Sequence, residues 1–412
     1  MVKIAIIQMN GCNKCFNETI KLAQYNYDIS RFKSKSDWDD KKYDYVILTG
    51  YLTQDDGAII KRISQKSRKM IGYGTCTTTG GIYGLSYQKG NEISKISKLD
   101  EDARLIHGCL ADVENLHDEL KERPRENPGN LCATCKRKSS CSFLLEVKRQ
   151  IEYDEESTEC FNDKGYLCSG YVSGICKERC IDYNTPCRGC VPNVESPSLR
   201  MMGLFGTLLG NVDVATEASS KGATDKLADK PDEITEYLPD IAGNFFRFHL
   251  SDTPLPIGKK PSTHNIVSDI FNERLIEEIP LIAGMMGGDQ AISLTLDIVD
   301  AYEQGSTLEV NETTRKLRKK LRRLETDYNN AVEQCNYKNY IKITDEIRKL
   351  AGNMNLSNVF FGGFKTPIKG IGDFQEYRTT VFQPQSGQYT GRLVSYTLNE
   401  KGVVSNFQME AI

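Results

Sequence analysis

Cysteines are the residues of this sequence whose number and spacing point most directly to chemistry. The chain has 14 of them, and nine fall between Cys132 and Cys190. In a reducing compartment, thiols at regular spacing more often hold metal than form disulfides. The apolar run at residues 2–9 is too short for a signal peptide, and no small-residue cleavage site follows it. We therefore expect a cytoplasmic protein whose cysteines hold metal.

Twelve cysteines divide by position into two sets. A four-iron cluster takes four thiolates, often from one Cys-x-x-Cys pair and more distant third and fourth ligands. The first set, here called the edge set, consists of Cys12, Cys15, Cys76 and Cys109. The second set consists of Cys132, Cys135, Cys160, Cys168, Cys176, Cys180, Cys187 and Cys190. Cys141 could substitute for one of these eight ligands, and Cys335 is set apart from both sets.

Zinc is the alternative use of the second set. Its two Cys-x-x-Cys pairs, Cys132/Cys135 and Cys187/Cys190, could form a zinc ribbon with tetrahedral sulfur ligands. The edge set favours iron, because a structural zinc site rarely draws on three separate strand-end loops of an α/β core. A zinc-stapled interaction scaffold stays open as an alternative function, and disulfides are disfavoured by the expected compartment.

The elements around the edge set predict a parallel sheet. Apolar runs predict strands over 2–9, 45–48, 69–72 and 103–106. Apolar residues three or four apart predict amphipathic helices over 16–25, 58–67 and 113–122. Alternating strands and helices favour a parallel sheet, whose strands all end at the same edge. We therefore expect the four thiols of the edge set to lie close together.

The chain changes character after residue 122. Residues 123–200 contain few large apolar side chains, so we expect this cysteine-rich segment to need its metals in order to fold. A helical closing segment is predicted over 201–258. The extension over 259–412 is predicted to be helical to about 352 and β-rich afterwards. Within it we predict helices over 265–278, 290–303 and 307–352, and a strand pair over 376–410 with turns at 385–388 and 399–402.

Composition excludes some partners. Lys and Arg number 53 against 56 Asp and Glu, and a formal charge of −3 gives no general attraction for nucleic acid. The longest apolar runs, such as Ile279–Met286, are much shorter than a membrane helix requires. Residues 315–323 carry seven positive charges, which could dock an acidic partner subunit or belong to a coiled coil. We expect no nucleic-acid partner and no membrane contact.

The cysteine motifs resemble a known family. Gly11-Cys12-x-x-Cys15, Gly74-x-Cys76 and Gly108-Cys109 resemble the small subunit of nickel-iron hydrogenases and its relative, the 20 kDa subunit of respiratory complex I. Cys176-x-x-x-Cys180 and Pro186-Cys187-Arg188-Gly189-Cys190 resemble the gamma subunit of archaeal cytoplasmic hydrogenases that reduce methyl viologen or deazaflavin. The resemblance extends to Gly243-Asn-Phe-Phe-Arg-Phe-His-Leu250, so it covers about residues 1–258. The extension resembles no family that we recognise.

This resemblance implies both a fold and a function. The implied fold class is α/β: a flavodoxin-like parallel sheet with helices on both faces, then a cysteine-rich iron-sulfur segment and a mainly helical C-terminal region ending in short strands. Three four-iron clusters would relay electrons, with the edge set proximal to the nickel-iron centre of a large subunit. The chain would be the electron-transfer subunit of this oxidoreductase, and a flavin or iron-sulfur subunit would be the acceptor. A reductase complex without hydrogenase activity is the second interpretation.

Two further residues could support such a site. Glu18 could relay protons, although a carboxylate at a helix N-terminus is also favoured by the helix dipole alone. His107 could donate a hydrogen bond to a cluster sulfur, or be an ordinary loop histidine. No Ser/His/Asp pattern or phosphate-binding glycine motif is present in the sequence.

Overall fold

A five-stranded parallel sheet forms the centre of the N-terminal region. The computed structural model describes residues 1–123, 129–139, 148, 158–192, 240–253, 265–305, 309–361, 363–364, 376–378, 392–399 and 402–411. The order of the strands across the sheet is β2-β1-β3-β5-β7, and all four pairings are parallel. This is a flavodoxin-like order, and it confirms the predicted α/β class. The strands are β1 Lys3–Gln8, β2 Asp28–Phe32, β3 Tyr43–Thr49, β5 Ser67–Tyr73 and β7 Arg104–Ile106.

Successive residues of each central strand point to opposite faces, and both faces are buried. Ile4 and Ile6 belong to one apolar cluster, while Ala5 and Ile7 belong to the other. Helices cover both clusters, as predicted. The helices of this region are α1 Lys14–Glu18, α2 Gly57–Ser64, α3 Thr75–Thr79, α4 Ile96–Leu99 and α5 Val113–Leu120.

Two details of this region differ from the sequence prediction. Strand β2 was not predicted, because it lies at the edge of the sheet and none of its residues is buried, so its apolar signal is weak. The predicted helix over 16–25 is α-helical only to Glu18 and continues as a 3-10 helix over Thr19–Gln24. The change begins at Thr19, whose hydroxyl donates to the carbonyl of Phe16 at 2.6 Å and so competes with the backbone pattern.

The described cysteine-rich residues contain little regular structure. Within 129–139 and 158–192 the helices are short 3-10 turns: Leu131–Thr134, Gly170–Val172 and Cys180–Tyr183. Their apolar cluster is small and includes two of the cysteines themselves: it consists of Leu131, Phe161, Tyr166, Cys168, Ile181 and Cys187. Cys141 and most of the predicted closing segment lie outside the described residues.

The C-terminal region is helical, but two predicted helices differ from the structure. The helix predicted over 265–278 ends at Phe271, because Glu273 has a φ of +67° and its N–H donates to the carbonyl of Val404 at 2.8 Å. The predicted helix over 307–352 is two helices, Glu312–Glu333 and Tyr337–Ala351. The chain turns at Cys335, whose φ is +49°, and the Asn336 side chain caps the second helix by accepting from the Asn339 N–H at 3.2 Å. The helices of this part are α6 Ile241–Phe245, α7 Ile266–Phe271, α8 Ile279–Met286, α9 Ala291–Gly305, α10 Glu312–Glu333 and α11 Tyr337–Ala351.

Short antiparallel strands complete the described chain. The tail pairs β10 Glu376–Arg378, β11 Arg392–Leu398 and β12 Val404–Ala411. The predicted turn at 399–402 is confirmed, since the Gly402 N–H donates to the carbonyl of Asn399 at 2.8 Å; the turn predicted at 385–388 lies outside the described residues. None of the helices in the described ranges is long and apolar enough to span a bilayer. Two-stranded pairs are β4 Leu52–Thr53 with β6 Ile93–Ser94, and β8 Val359–Phe360 with β9 Gly363–Phe364.

Candidate metal centre at the edge of the sheet

The four thiols of the edge set line one cavity. The loop after β1 and helix α1 contribute Cys12 and Cys15, helix α3 contributes Cys76, and the loop after β7 contributes Cys109. Parallel strands end at the same edge, so cysteines that are almost a hundred residues apart in sequence meet there.

Glycines allow the backbone to approach these sulfur atoms closely. Gly74 has a φ of +100°, and a Cβ built on it would lie 2.7 Å from Cys15 Sγ. Gly81 has a φ of +55°, and its Cβ would lie 2.7 Å from Cys76 Sγ. Any side chain at either position would therefore be strained and would collide with a thiol.

The thiols are held in an environment that opposes their ionisation. Burial raises the pKa of Cys15 to about 12. Burial, and then the charges of the neighbouring cysteines, also raise the pKa of Cys76 and Cys109 well above the usual range. Thiolate is the form that binds metal, so a bound cation would have to supply the stabilisation that the protein lacks.

The donor set fits an iron-sulfur cluster. Four cysteine sulfur atoms around one shielded cavity are the ligands that such clusters use. Near Cys12, the N–H groups of Lys14 and Gly288 oppose the rise in pKa that burial causes, so they also favour negative charge on the sulfur. Among the described residues, no three His, Cys, Asp or Glu side chains are arranged to hold a single metal ion.

Half of the second set lies next to the edge set. The carbonyl of Cys190 accepts a hydrogen bond from Thr75 Oγ1 at 2.5 Å, and Cys190 Sγ is 4.0 Å from the carbonyl oxygen of Cys109. Burial raises the pKa of Cys190, and its cysteine neighbours raise it further. Apart from Cys109, these neighbours are Cys176, Cys180 and Cys187.

The other half extends to the protein surface. A Cβ built on Gly170 would lie 3.2 Å from Cys132 Sγ and 3.6 Å from Cys168 Sγ, so these two thiols flank one glycine. Burial, and then the charges of Cys160, Cys135 and Cys187, raise the pKa of Cys132 to about 11. The two halves meet where the Cys187 N–H donates to Cys168 Sγ at 3.3 Å. Cys132 is exposed.

The residues predicted to support the edge set have other partners. Glu18 is buried, forms an ion pair with Lys21 and accepts a hydrogen bond from the Tyr340 hydroxyl at 3.0 Å. His107 Nδ1 shares a hydrogen bond of 2.8 Å with the Thr78 hydroxyl. Cys335, which the sequence set apart from both groups, is exposed, and its sulfur accepts from Arg31 at 3.7 Å.

The basic run over 315–323 is partly neutralised within the chain. Arg318 pairs with Asp300 and Glu303 of α9. Arg322 pairs with Asp297 and Asp300 at 3.1 and 3.0 Å. Docking of an acidic partner by the remaining exposed cations stays a prediction.

Sequence reasoning missed the contribution of the C-terminal region to this site. Met285 lines the cavity, and Asn355 Nδ2 donates to the carbonyl of Cys109 at 2.6 Å. Asp289 accepts hydrogen bonds from Asn13 and Asn17, both at 2.6 Å. The glycines around 284–288 indicated only a loop, and nothing in the sequence linked that loop to residues 12–17.

The motif over 243–250 supports the loop that carries Cys187 and Cys190. His249 Nε2 donates to the carbonyl of Gly189 at 2.9 Å, and burial lowers the pKa of His249 to about 4. The imidazole is therefore neutral at ordinary pH. Arg247 is buried and pairs with Glu278 at 2.6 Å, and Arg188 lies 4.0 Å from the same carboxylate.

The N-terminal region is similar to a described family. Residues 6–122 match the family described as the NADH ubiquinone oxidoreductase, 20 Kd subunit. This match and the parallel sheet confirm the resemblance that the cysteine motifs indicated. The match ends where the cysteine-rich segment begins.

Six of the curated relatives carry the names of subunits of archaeal F420-non-reducing hydrogenases. A subunit of the F420-non-reducing hydrogenase of Methanothermobacter marburgensis is 26% identical over 312 residues, which cover 62% of this chain and 96% of the relative. The iron-sulfur subunit of the F420-non-reducing hydrogenase of Archaeoglobus profundus is 22% identical over 299 residues, covering 53% of this chain and 92% of the relative. The chain is thus related to subunits of an oxidoreductase complex.

A solved structure also matches. One chain of the NAD+-reducing NiFe-hydrogenase in its H2-reduced state aligns with 16% identity and a TM-score of 0.24, covering 30% of this chain and 94% of that one. A similarity at this level supports no further conclusion.

Proposed function

We propose that this chain is the electron-transfer subunit of a complex related to nickel-iron hydrogenases. It relays electrons through three four-iron clusters, and its partners are a nickel-iron large subunit and a flavin or iron-sulfur acceptor subunit. The observation that carries the proposal is the continuity of the three groups of thiols. Cys190 adjoins the edge set at Cys109, and Cys187 adjoins Cys168 in the outer half.

The contacts between cysteines also suggest how the ligands divide. The edge set holds the proximal cluster. Cys190 and its neighbours Cys176, Cys180 and Cys187 hold the middle cluster, because Cys190 lies next to Cys109 of the edge set. The outer cluster belongs to Cys132, Cys135, Cys160 and Cys168, which extend to the exposed Cys132. Electron transfer requires short distances between successive centres, and in this division each group of ligands contacts the next, at Cys109 with Cys190 and at Cys168 with Cys187.

The residues of the chain have three tasks in this proposal. The clusters supply one-electron chemistry when bound, and the protein supplies thiolate ligands, hydrogen bonds and exclusion of water. The Cys187 N–H, which donates to Cys168 Sγ, stabilises negative charge on that sulfur. Thr75 joins two groups of ligands, since its hydroxyl donates to the carbonyl of Cys190 and accepts from the Gly108 N–H at 2.8 Å.

A second candidate is a reductase complex without nickel. It is favoured by the C-terminal region, whose residues Met285 and Asn355 lie over the edge where a large subunit would exchange electrons with the proximal cluster. In that case the clusters and their ligands are the same, and only the partner differs. Nickel in the copurified complex therefore distinguishes the two candidates.

Metal analysis of the anaerobically purified chain tests the proposal. We expect about twelve irons per chain and a broad visible band that dithionite bleaches. Cys76→Ser should lower iron by up to about four atoms, as should Cys180→Ser, while Cys335→Ser is the matched control and should retain the full content. Zinc in place of iron would refute the electron-transfer function and support the scaffold alternative.

A further inference from the structure

The edge set is covered by residues of the same chain. We use the name cover for residues 279–290 and 312–358, which include helices α8, α10 and α11 and the loop that follows α11. The cover contacts the N-terminal region at residues 12–18 and at Cys109, so its contacts reach two of the loops that carry the edge set. Met285 of the cover also lines the cavity between the four thiols.

Lys14 shows how closely the cover is joined to the site. This lysine lies between Cys12 and Cys15, and only 5% of it is exposed. Its ammonium donates to the carbonyls of Gly284 and Met354, which are both in the cover. Since a buried ammonium needs hydrogen-bond acceptors, and these come from two separate segments of the cover, the burial of Lys14 depends on the cover being in place.

Asp289 forms a second point of attachment. Its two carboxylate oxygens accept separate hydrogen bonds from Asn13 and Asn17 at 2.6 Å each. The neighbouring Gly288 has a φ of +58°, and a Cβ built on it would lie 2.6 Å from Asn13 Oδ1. The backbone of the cover therefore approaches the cysteine loop at a distance that only glycine permits.

A third attachment involves helix α11. Tyr340 is fully buried and donates to Glu18, which is itself paired with Lys21. Tyr328 of α10 accepts from Asn17 at 3.1 Å and packs against Tyr340, with 5.4 Å between ring centroids. The face of α1 that follows Cys15 is thus occupied by two aromatic side chains of the cover.

The other end of the cysteine series differs from this covered edge. Cys132 is exposed, and Tyr171, which follows Gly170 in the sequence, is 59% exposed. Tyr171 and Met1 are the large apolar side chains exposed among the described residues.

We infer that the cover takes the position of a docked protein at the edge, so that no second protein contacts the loops of Cys12, Cys15, Cys76 and Cys109 directly. The inference rests on the proposed function, because it concerns the site of the proximal cluster. A partner subunit on this side of the molecule contacts the cover instead. The extension after residue 258 is therefore part of the site. The edge set is covered by this chain itself and not by a second protein.

Hydrogen exchange of the full, cluster-loaded chain tests this inference. In the wild-type chain, amides of residues 12–22 should exchange slowly. The double variant Asp289→Ala/Tyr340→Phe removes two attachments, and exchange in 12–22 should become at least about tenfold faster. Glu312→Ala, on the exposed N-terminus of α10, is the control and should leave this exchange unchanged. Amides of 45–49 in the central strand report whether each variant is folded.

Several outcomes would overturn the inference. One is rapid exchange of residues 12–22 in the wild-type chain; another is equal exchange in the double variant and in Glu312→Ala. If a partner copurifies, its footprint should fall outside 12–22; new protection there, together with faster exchange in 284–290, would show that the partner displaces the cover. Iron content is measured on the same samples, so a chain without iron would refute the proposed function while the exchange result still tests the cover.

Discussion

The N-terminal sheet and the cysteine-rich segment both present cysteines, but they support them in different ways. The edge set is attached to a sheet with buried apolar clusters on both faces. The described part of the cysteine-rich segment has short 3-10 turns and one small cluster that contains Cys168 and Cys187 themselves. In the proposed function, apolar burial therefore positions the edge set before a metal binds, whereas the two other proposed sites contribute to the folding of their own ligands.

Removal of iron is the change with the largest expected effect, because the two regions should respond to it differently. A strong chelator under reducing conditions should abolish exchange protection in 158–192 and leave most of it in residues 3–8 and 43–49. Metal sites in small domains can contribute on the order of 10 kcal/mol to folding, whereas the sheet is stabilised by apolar burial. Hydrogen exchange before and after chelation measures both regions, and equal loss in both would contradict the contrast.

The second prediction concerns two glycines with positive φ. Gly74→Ala places a methyl carbon 2.7 Å from Cys15 Sγ, so we expect loss of the edge cluster, or about four irons. Gly129→Ala is the matched control, since Gly129 has a φ of +77° but no atom within 4 Å of the added Cβ. It should cost only about 1–2 kcal/mol of backbone strain and retain the iron. Iron analysis of the two purified variants distinguishes these outcomes.

A pair of apolar truncations sharpens the comparison. Ile47 is fully buried in the sheet, and Leu131 is 1% exposed in the small cluster. Ile47→Ala should lower the free energy of unfolding of the sheet by about 3–4 kcal/mol. Leu131→Ala should cost less while iron is bound, because the clusters hold that segment together. Denaturant unfolding with iron retained measures both, and a larger effect of Leu131→Ala would count against this account.

The smallest expected effect is a pH dependence in the C-terminal region. Burial raises the pKa of Glu325 to about 7. The folded state therefore keeps a proton that the unfolded state loses above its ordinary pKa of about 4.5, so stability falls as pH rises from about 4.5 to 7. The loss should be about 3 kcal/mol at most. Glu325→Gln should remove this dependence, which thermal unfolding at pH 5 and pH 8 would detect; an unchanged slope would refute the assignment.

The parts predicted correctly depend on local patterns. Four of the five strands could be predicted because they are rich in apolar residues, and the edge set could be proposed because each of its loops follows a strand. Strand β2 and the break at Cys335 could not be predicted. Strand β2 is half-exposed at the edge of the sheet, so its apolar pattern is weak. The break at Cys335 interrupts an apolar stripe that would suit a single helix.

The sequence by itself determined which residues are the candidates for the chemistry. Cysteine spacing and the position of glycines beside cysteines are local properties, and the order of strands and helices indicates where strand ends meet. Tertiary structure alone decided what lies over the edge set. Asp289 and Asn13 are 276 residues apart, and their contact depends on how α8, α10 and α11 pack together. No periodicity or motif encodes such a contact, because it exists only once both regions have folded.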